Sequence, residues 1–394
     1  MKIKKSTLIS AAAVVLVFAG AFGMSYLAGG LRLTDTDAKK AVTGASAVKA
    51  EDIQDENGKF VILDYPEDLD MSSYVTISDY EGMEVTTEKP GEITDELIQQ
   101  NIDSFISYYG KYDVHTEGTV EKGDIVTVSY TGYQDGVAVA AYTAKDNVLK
   151  LGSSDIPAEF EEHLVGTPIG EEQSFTVTFP EDWGDTAYAG RTMDFKATVS
   201  AVNEIPEVTD DNVGEITDGK YQTKADFLAY IEQSIEDYEQ TQYEAEVGSE
   251  ILEKLMDQAK FGTLPQELLT WHVSTQMRYY QDMADQYNMT VEEYLQDAGL
   301  ADSVDDALYA MTQSAVEACK SYGLLDVIAD QQGITVDPEA DAADIEERSQ
   351  QLIEGLGLSG QEKLLDYYGE VNLYHDVQNW KVFDWLRDHV TQKG

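Results

Sequence analysis

The side chains that most often carry enzyme chemistry are sparse in this chain of 394 residues. The sequence has no glycine-rich phosphate loop, no Cys-x-x-Cys pair, no His-Glu-x-x-His motif and no hydrolase-type serine elbow. Five histidines are spread over different predicted elements: His115, His163, His272, His375 and His389. The one cysteine, Cys319, lies in an apolar helical pattern and is predicted to be a small buried residue. These observations predict no metal site and no bound cofactor.

Aromatic residues at alternating positions suggest a chemistry that needs no nucleophile, the rotation of an X-Pro peptide bond. That rotation crosses a barrier of about 18–20 kcal/mol and is slow without a catalyst. Water stabilises the planar, charge-separated amide, whereas the twisted transition state has less charge separation. A dry aromatic cup therefore favours the transition state, and a hydrogen-bond donor placed for the twisted form adds to the effect.

These aromatic residues fall in a segment with the two-residue period of β-strands, from about residue 120 to residue 202. Apolar and polar residues alternate over 174–179 and again over 193–199. An earlier predicted strand, 124–130, ends shortly before Asp135-Gly136, a dipeptide favoured in tight hairpin turns. A purely structural role for the rings stays open beside the catalytic one, because aromatic residues favour strands in any case.

The chain after Pro206 has a helical pattern, with apolar residues three and four positions apart. Five helix starts along the chain are marked by a serine or threonine with an acidic residue within the next three positions: Thr94, Thr223, Thr290, Ser303 and Ser359. Leu264-Pro265 marks a further start, because proline is tolerated in the first helical turn. The apolar stripes predict helix-packing faces.

The charge of the chain limits its partners. Its 75 acidic and 26 basic residues give a formal charge of -49, which repels phosphate backbones and argues against nucleic-acid binding. The apolar content of 42% is sufficient for real cores. Residues 34–73 have little periodicity and are predicted to form an acidic tether.

The N-terminus has three lysines among its first five residues, followed by an apolar run over 7–31. This order is typical of a bacterial export segment. Because the run is long enough to span a bilayer, we predict that residues 1–33 anchor the protein to the outer side of the cell membrane. The alternative is cleavage near the small residues 19–21, which would release a secreted protein.

A series of short motifs runs in order through the β-rich segment: Gly123 to Gly132, Asp135-Gly136, Leu151-Gly152-Ser153, Phe160-Glu161, Thr178 to Asp182, Ala189-Gly190-Arg191 and Phe195. In order and nearly in register, these motifs resemble the FKBP-type prolyl isomerase domain of the chaperone trigger factor. The helical remainder is similar, more loosely, to the C-terminal arms of that family, at Leu264-Pro265 and at 327–336.

This resemblance implies an α+β fold. It places a strand-helix lead-in over 74–118, then a small antiparallel FKBP-like sheet domain with a short helix over 119–204. An all-α domain of helical arms follows over 205–394. The family's ribosome-docking domain, with its Gly-Phe-Arg loop, has no counterpart, so the resemblance implies no ribosomal partner.

The resemblance also implies the residues of an X-Pro pocket. It gives catalytic roles to Tyr130, Phe160 and Phe195. It gives substrate-binding roles to Val139, Ile156, Phe179, Trp183 and Tyr188. The implied partners are unfolded or proline-containing polypeptides.

The chain departs from the family pattern in this pocket. Val139 stands where the family has phenylalanine, and Ala140 where it has an acid. Residues 157–159, Pro-Ala-Glu, replace the family's Ile-Pro-Gly before Phe160. The leading hypothesis is an exported folding factor that catalyses X-Pro isomerisation and holds unfolded chains. The alternatives are a holdase without isomerase activity and a surface structural or adhesive protein on the same frame.

Overall fold

The computed structural model describes residues 46–153 and 156–393. They form two compact units. The sheet unit comprises residues 92–236, and the helical unit comprises the described residues up to 91 together with those from 237 onwards. The predicted export segment, 1–33, lies outside the described residues. Within the described ranges, no helix is both long and apolar enough to cross a membrane.

The helices and strands of the described residues confirm the predicted α+β class. The strands are β1 Val75–Thr76, β2 Glu84–Val85, β3 Asp113–His115, β4 Ile125–Gln134, β5 Val137–Lys150, β6 Glu172–Thr178, β7 Thr192–Glu204, β8 Lys260–Phe261 and β9 Thr391–Gln392. The α-helices are α1 Asp95–Tyr109, α2 Ala158–Leu164, α3 Val213–Ile216, α4 Lys224–Gln258, α5 Gln266–Tyr287, α6 Val291–Asp297, α7 Val304–Gln332, α8 Ala342–Leu356, α9 Gln361–Tyr368 and α10 Glu370–His389.

The sheet unit is built on an antiparallel sheet of five strands. Its order is β3-β7-β4-β5, and β6 also pairs with β7. The predicted alternation is confirmed, because the side chains of β7 are buried at every second position from Met193 to Asn203. Asp135 and Gly136 have φ angles of 52° and 80°, so the predicted tight turn joins β4 to β5. One face of this sheet therefore carries a continuous apolar core.

A second apolar cluster of the sheet unit packs α1 against α3 and the start of α4. Ile106, Val213 and Phe227 are fully buried in it. The predicted isomerase domain, 119–204, lies within this larger unit. Residues 92–118 and 205–236 pack within the sheet unit, because their apolar faces cover each other.

The helical unit has its core among α5, α7, α10 and the end of α4, where Leu255, Leu268, Ile328 and Leu386 are buried. Cys319 of α7 is buried in this core, as predicted. Two pairs of two-residue strands, β1 with β8 and β2 with β9, join distant parts of the unit. The predicted all-α domain thus includes short strand contacts.

The predicted tether is wrong for its described part, residues 46–73. Ile53, Phe60 and Met71 are buried in the helical core, although no helical or strand period links them. Residues 34–45 lie outside the described residues. The error arose because an irregular segment can bury widely spaced apolar side chains without any periodic signal.

This irregular segment satisfies its backbone with side chains of the helices. The Tyr65 backbone N–H donates to Asn372 Oδ1 at 2.9 Å, and Asn372 Nδ2 donates to the Leu63 carbonyl at 2.9 Å. The Leu63 N–H donates to Ser274 Oγ at 3.0 Å. These bonds replace a strand ladder, because buried backbone groups need partners.

A buried polar network lies behind this segment, formed by Tyr65, Asp326, Arg348, His375 and Asp376. The Tyr65 hydroxyl donates to Asp326, and His375 Nε2 lies 3.0 Å from the same carboxylate. The Tyr65 and His375 rings stack with centroids 3.5 Å apart. Arg348 pairs with Asp376 at 2.9 Å. Every carboxylate of this network has a partner.

The predicted helix starts are confirmed at four of the five serine and threonine positions. In each of these, the hydroxyl accepts a backbone N–H from the first turn: Thr94, Thr223, Thr290 and Ser303. The predicted cap at Ser359 is wrong, since α9 begins one residue later than a Ser359 cap requires. Gly360 occupies the cap position without a side-chain bond.

Candidate active site

The floor of the candidate site consists of three phenylalanines. Phe195 comes from β7, Phe160 from α2, and Phe179 directly follows β6; their exposed fractions are 3%, 2% and 1%. The Phe160 and Phe195 ring centroids are 5.1 Å apart at 83°, an edge-to-face contact. Because these rings are so deeply buried, they form the base of the site, and its accessible surface comes from the residues around them.

The rim of the site consists of partly buried residues that pack against this floor: Tyr130, Val139, Tyr142, Ile156, Trp183 and Tyr188. Five of them are the site residues that the sequence predicted beside the floor. Strand pairing explains part of the arrangement. Val139 of β5 lies opposite Gly132 of β4, which in turn lies opposite Phe195. Paired residues of neighbouring strands share a face of the sheet, so Val139 faces the floor.

Tyr130 connects the rim to the floor. Its ring lies 5.3 Å from that of Phe160 and 6.4 Å from that of Phe195, both edge-to-face. Burial raises the pKa of the Tyr130 hydroxyl, and the neighbouring Tyr142 contributes a smaller rise. The hydroxyl therefore stays protonated at neutral pH.

Tyr142 is a site residue that sequence reasoning missed. Its ring lies 4.9 Å from Phe179 and 4.8 Å from Tyr188. The indole Nε1–H of Trp183 donates to the Tyr142 hydroxyl oxygen at 3.1 Å. Burial raises the pKa of this hydroxyl, although the bond from Trp183 opposes the rise.

An irregularity in β5 places Tyr142 in the cluster. Thr131 pairs with Thr143, but the next residue of β4, Gly132, pairs with Val139, so residues 140–142 bulge out of the ladder. A bulge of this kind changes the direction in which the side chains of the strand point. A Cβ at Gly132 would lie 3.0 Å from Tyr142 Cβ, 3.0 Å from the Phe195 ring and 2.5 Å from Met193 Sδ. Only glycine leaves room for this approach.

The departures from the family pattern also have a structural account. Pro157 occupies the N-cap position of α2 and has no N–H to donate. Glu159 Oε2 accepts the Thr178 backbone N–H at 2.6 Å, and Glu161 Oε2 accepts that of Gly152 at 2.6 Å. The two carboxylates thus fix the short helix that carries Phe160.

The histidines do not form a cluster in the described residues. His163 stacks on Phe175 beside the aromatic floor, with centroids 4.6 Å apart. His115 lies 3.3 Å from Glu204, and His389 stacks on Trp385. Groups of histidine, cysteine and carboxylate side chains that could hold a metal ion are not found in the described part of the chain.

Two segments of the chain match known protein families. Residues 116–200 match the FKBP-type peptidyl-prolyl cis-trans isomerase family. Residues 223–388 match the family of the bacterial trigger factor protein C-terminus. The first match contains the aromatic floor and rim, and the second contains α4 to α9 and all of α10 except its last residue.

Curated relatives match the greater part of the chain. The trigger factor of Staphylococcus saprophyticus is 28% identical over 319 residues, which cover 80% of this chain and 71% of that protein. The trigger factor of Desulforamulus reducens is 26% identical over 347 residues, covering 87% and 77%. A solved structure described under "Promiscuous Substrate Recognition in Folding and Assembly Activities of the Trigger Factor Chaperone" covers 80% of this chain and 72% of its own, with 16% identity and a TM-score of 0.42.

Proposed function

Because the chain is a trigger factor-like protein with an FKBP-type domain and a trigger factor C-terminal domain, we propose that it is an exported folding factor. Its two activities are the cis-trans isomerisation of X-Pro peptide bonds and the holding of unfolded polypeptides. Its partners are unfolded or proline-containing clients, with no nucleic acid and no ribosome among them.

The observation that carries the isomerase proposal is the aromatic cluster itself. Three buried phenylalanines form a dry floor, and partly exposed rings surround it. Such a site strips water from a bound prolyl amide. Since water stabilises the planar amide more than the twisted one, its removal lowers the barrier to rotation.

The holding activity is supported by the surface of the helical unit. Large apolar or aromatic side chains are exposed along its helices: Tyr238, Tyr279, Tyr287, Tyr309, Leu356 and Leu365. Tyrosine is enriched at protein–protein interfaces, so these side chains are the ones that we propose to contact a client. The large negative charge keeps the protein soluble while such residues stay accessible.

Export and anchoring are supported by the sequence of the N-terminus. The three lysines and the apolar run over 7–31 have the order of an export segment. We place the folded part of the protein outside the cytoplasm, held at the membrane by residues 1–33. Cell fractionation, with mass spectrometry of the native N-terminus, tests this. A soluble cytoplasmic chain with an intact N-terminus would refute it, and a mature chain starting near residue 22 would show a secreted form.

A proline-limited refolding reaction tests the isomerase. The protein at micromolar concentration should accelerate the slow phase, and Tyr130→Leu should abolish most of the acceleration because it removes a rim ring. The control is Tyr133→Leu on the same strand, whose side chain lies on the opposite face of the sheet, since Tyr133 pairs with exposed Asp194. No acceleration by the folded wild-type protein would refute the isomerase.

A holdase without turnover is the second candidate, and Pro157 favours it. A bound chain cannot receive a backbone hydrogen bond from this position, because proline lacks the N–H that another residue would offer. This candidate predicts suppression of client aggregation with an unchanged slow refolding phase. Acceleration of that phase by the wild-type chain excludes it.

A further inference from the structure

The hydroxyl of Tyr142 differs from the other polar groups of the aromatic cluster because its oxygen already has a fixed partner. Trp183 Nε1–H donates to that oxygen at 3.1 Å. An indole N–H can only donate, so the bond leaves the Tyr142 proton for another acceptor. Among the described residues, no acceptor lies within hydrogen-bond distance of that proton.

The ring that carries this hydroxyl is held on several sides. Phe179 and Tyr188 contact it edge-to-face at 4.9 and 4.8 Å, and Phe195 lies 6.4 Å away. The absence of a side chain at Gly132 allows this position, because a Cβ there would collide with Tyr142 and Phe195. A donor that is fixed before the substrate arrives loses little entropy when it is used.

The chemistry of amide rotation requires a donor of this type. In the planar amide the nitrogen lone pair is shared with the carbonyl, so the nitrogen accepts hydrogen bonds poorly. When the bond twists, the lone pair localises on the nitrogen, which becomes a good acceptor. A hydrogen bond to this nitrogen therefore forms only in the transition state and raises kcat.

We propose that Tyr142 is a catalytic residue whose hydroxyl donates a hydrogen bond to the prolyl nitrogen of the twisting X-Pro bond, while Trp183 positions that hydroxyl. The proposal rests on the proposed isomerase function and assigns its hydrogen-bond donor. No covalent bond is made or broken, and the proton stays on the tyrosine throughout. Of the β5 residues that pack in this cluster, Val139, Tyr142 and Leu149, only Tyr142 carries a polar group.

Steady-state isomerisation of a proline-containing tetrapeptide by the full chain tests the proposal. We expect Tyr142→Phe to lower kcat about 3- to 10-fold, the value of one neutral hydrogen bond, with KM unchanged. Trp183→Phe removes the positioning bond and keeps a ring, so its loss of kcat should be smaller. Tyr133→Phe removes a hydroxyl from the opposite face of the sheet and should leave kcat unchanged.

The outcomes separate this inference from the function on which it rests. Wild-type activity with an unchanged kcat in Tyr142→Phe overturns the inference and leaves the isomerase intact. A rise in KM at constant kcat also overturns it, because that pattern shows a ground-state contact. No isomerisation by the folded wild-type chain overturns both. A thermal unfolding curve of each variant shows whether lost activity reflects lost folding.

Discussion

The aromatic cluster of the sheet unit and the buried polar network of the helical unit both contain tyrosine hydroxyls, but they use them differently. In the helical unit the Tyr65 hydroxyl donates to Asp326, and the same carboxylate also contacts His375. In the sheet unit the Tyr142 hydroxyl accepts from Trp183 and keeps its proton for another acceptor. The Tyr65 hydroxyl thus donates to an acceptor within the polar network, whereas the Tyr142 hydroxyl keeps an unused donor.

The polar network and the aromatic cluster also differ in charge. The polar network contains ionised groups with their partners, including Arg348 with Asp376. The aromatic floor consists of hydrocarbon rings alone. Breaking a buried ion pair costs stability, whereas removing one hydroxyl from the aromatic rim should change the proposed activity. A stability measurement and an activity measurement should therefore respond to different residues.

The largest effect is expected at Arg348. In Arg348→Ala the buried carboxylate of Asp376 would lose its counter-charge and keep only the hydrogen bond from the Tyr368 hydroxyl at 3.1 Å, which should lower the free energy of unfolding by about 3–5 kcal/mol. Urea unfolding measures the change. In the same variant the Cys319 thiol should react faster with a disulfide reagent, because Cys319 is buried in the core of the unit that the substitution destabilises.

The matched control removes the same charge from an exposed pair. Lys363 lies 3.5 Å from Asp366, with side chains 62% and 65% exposed, against 8% and 9% for Arg348 and Asp376. Lys363→Ala should change stability by about 0–1 kcal/mol. Equal losses in both variants would contradict the view that burial makes the network costly to break.

The next effect is a pH dependence at His272. Burial lowers the pKa of His272 to about 4. Gln276 of the same helix and the ring of Tyr322 from α7 are its polar neighbours. Between pH 6.5 and pH 4 the unfolded chain binds a proton at this imidazole and the folded chain does not. Stability is therefore lost as the pH falls through this window, by about 3 kcal/mol.

The variant His272→Gln isolates this contribution. The two proteins share every other titrating group. As the pH decreases from 6.5 to 4, the unfolding free energy of the wild-type protein should therefore fall relative to that of His272→Gln. Urea unfolding at several pH values measures it. Parallel pH profiles for the two proteins would show that the imidazole does not stay neutral in the fold.

A third effect compares the two tyrosine hydroxyls directly. Tyr65→Phe removes a bond to a carboxylate and should cost about 1.5–3 kcal/mol. Tyr142→Phe removes an acceptor of a single neutral bond at a partly exposed site and should cost no more than about 1 kcal/mol. Thermal unfolding gives both values. A greater stability loss at Tyr142 would mean that its hydroxyl is structural.

Periodic and locally coded features could be predicted from the sequence. The alternation over 193–199, the turn at Asp135-Gly136 and the caps at Thr94 and Thr290 each depend on neighbours a few residues away. The floor residue Phe160 was identified by the order of the motifs around it. Such features are readable because their physical causes lie within the same segment.

The features that were missed depend on partners far along the chain. The backbone of Leu63 bonds to Ser274, and that of Tyr65 to Asn372, so no local pattern distinguished residues 46–73 from a tether. Tyr142 was missed because the bulge breaks the two-residue period of β5. The nearest local signal was Gly132, a glycine inside a strand, which often marks a bulge or a close approach.

A fourth effect is expected at this glycine, and it links the bulge to the site. Gly132→Ala forces its Cβ against Met193, Tyr142 and Phe195, which should cost about 1–3 kcal/mol by overpacking. Isomerase activity should fall as well, because the same contacts place the ring of Tyr142.

The control is Gly184→Ala, an exposed glycine of the same unit with no atom within 4 Å of the added Cβ. It should be neutral within about 0.5 kcal/mol. If Gly132→Ala lowers neither thermal stability nor activity, the cluster is looser than its contacts indicate, and the contrast with the buried polar network fails.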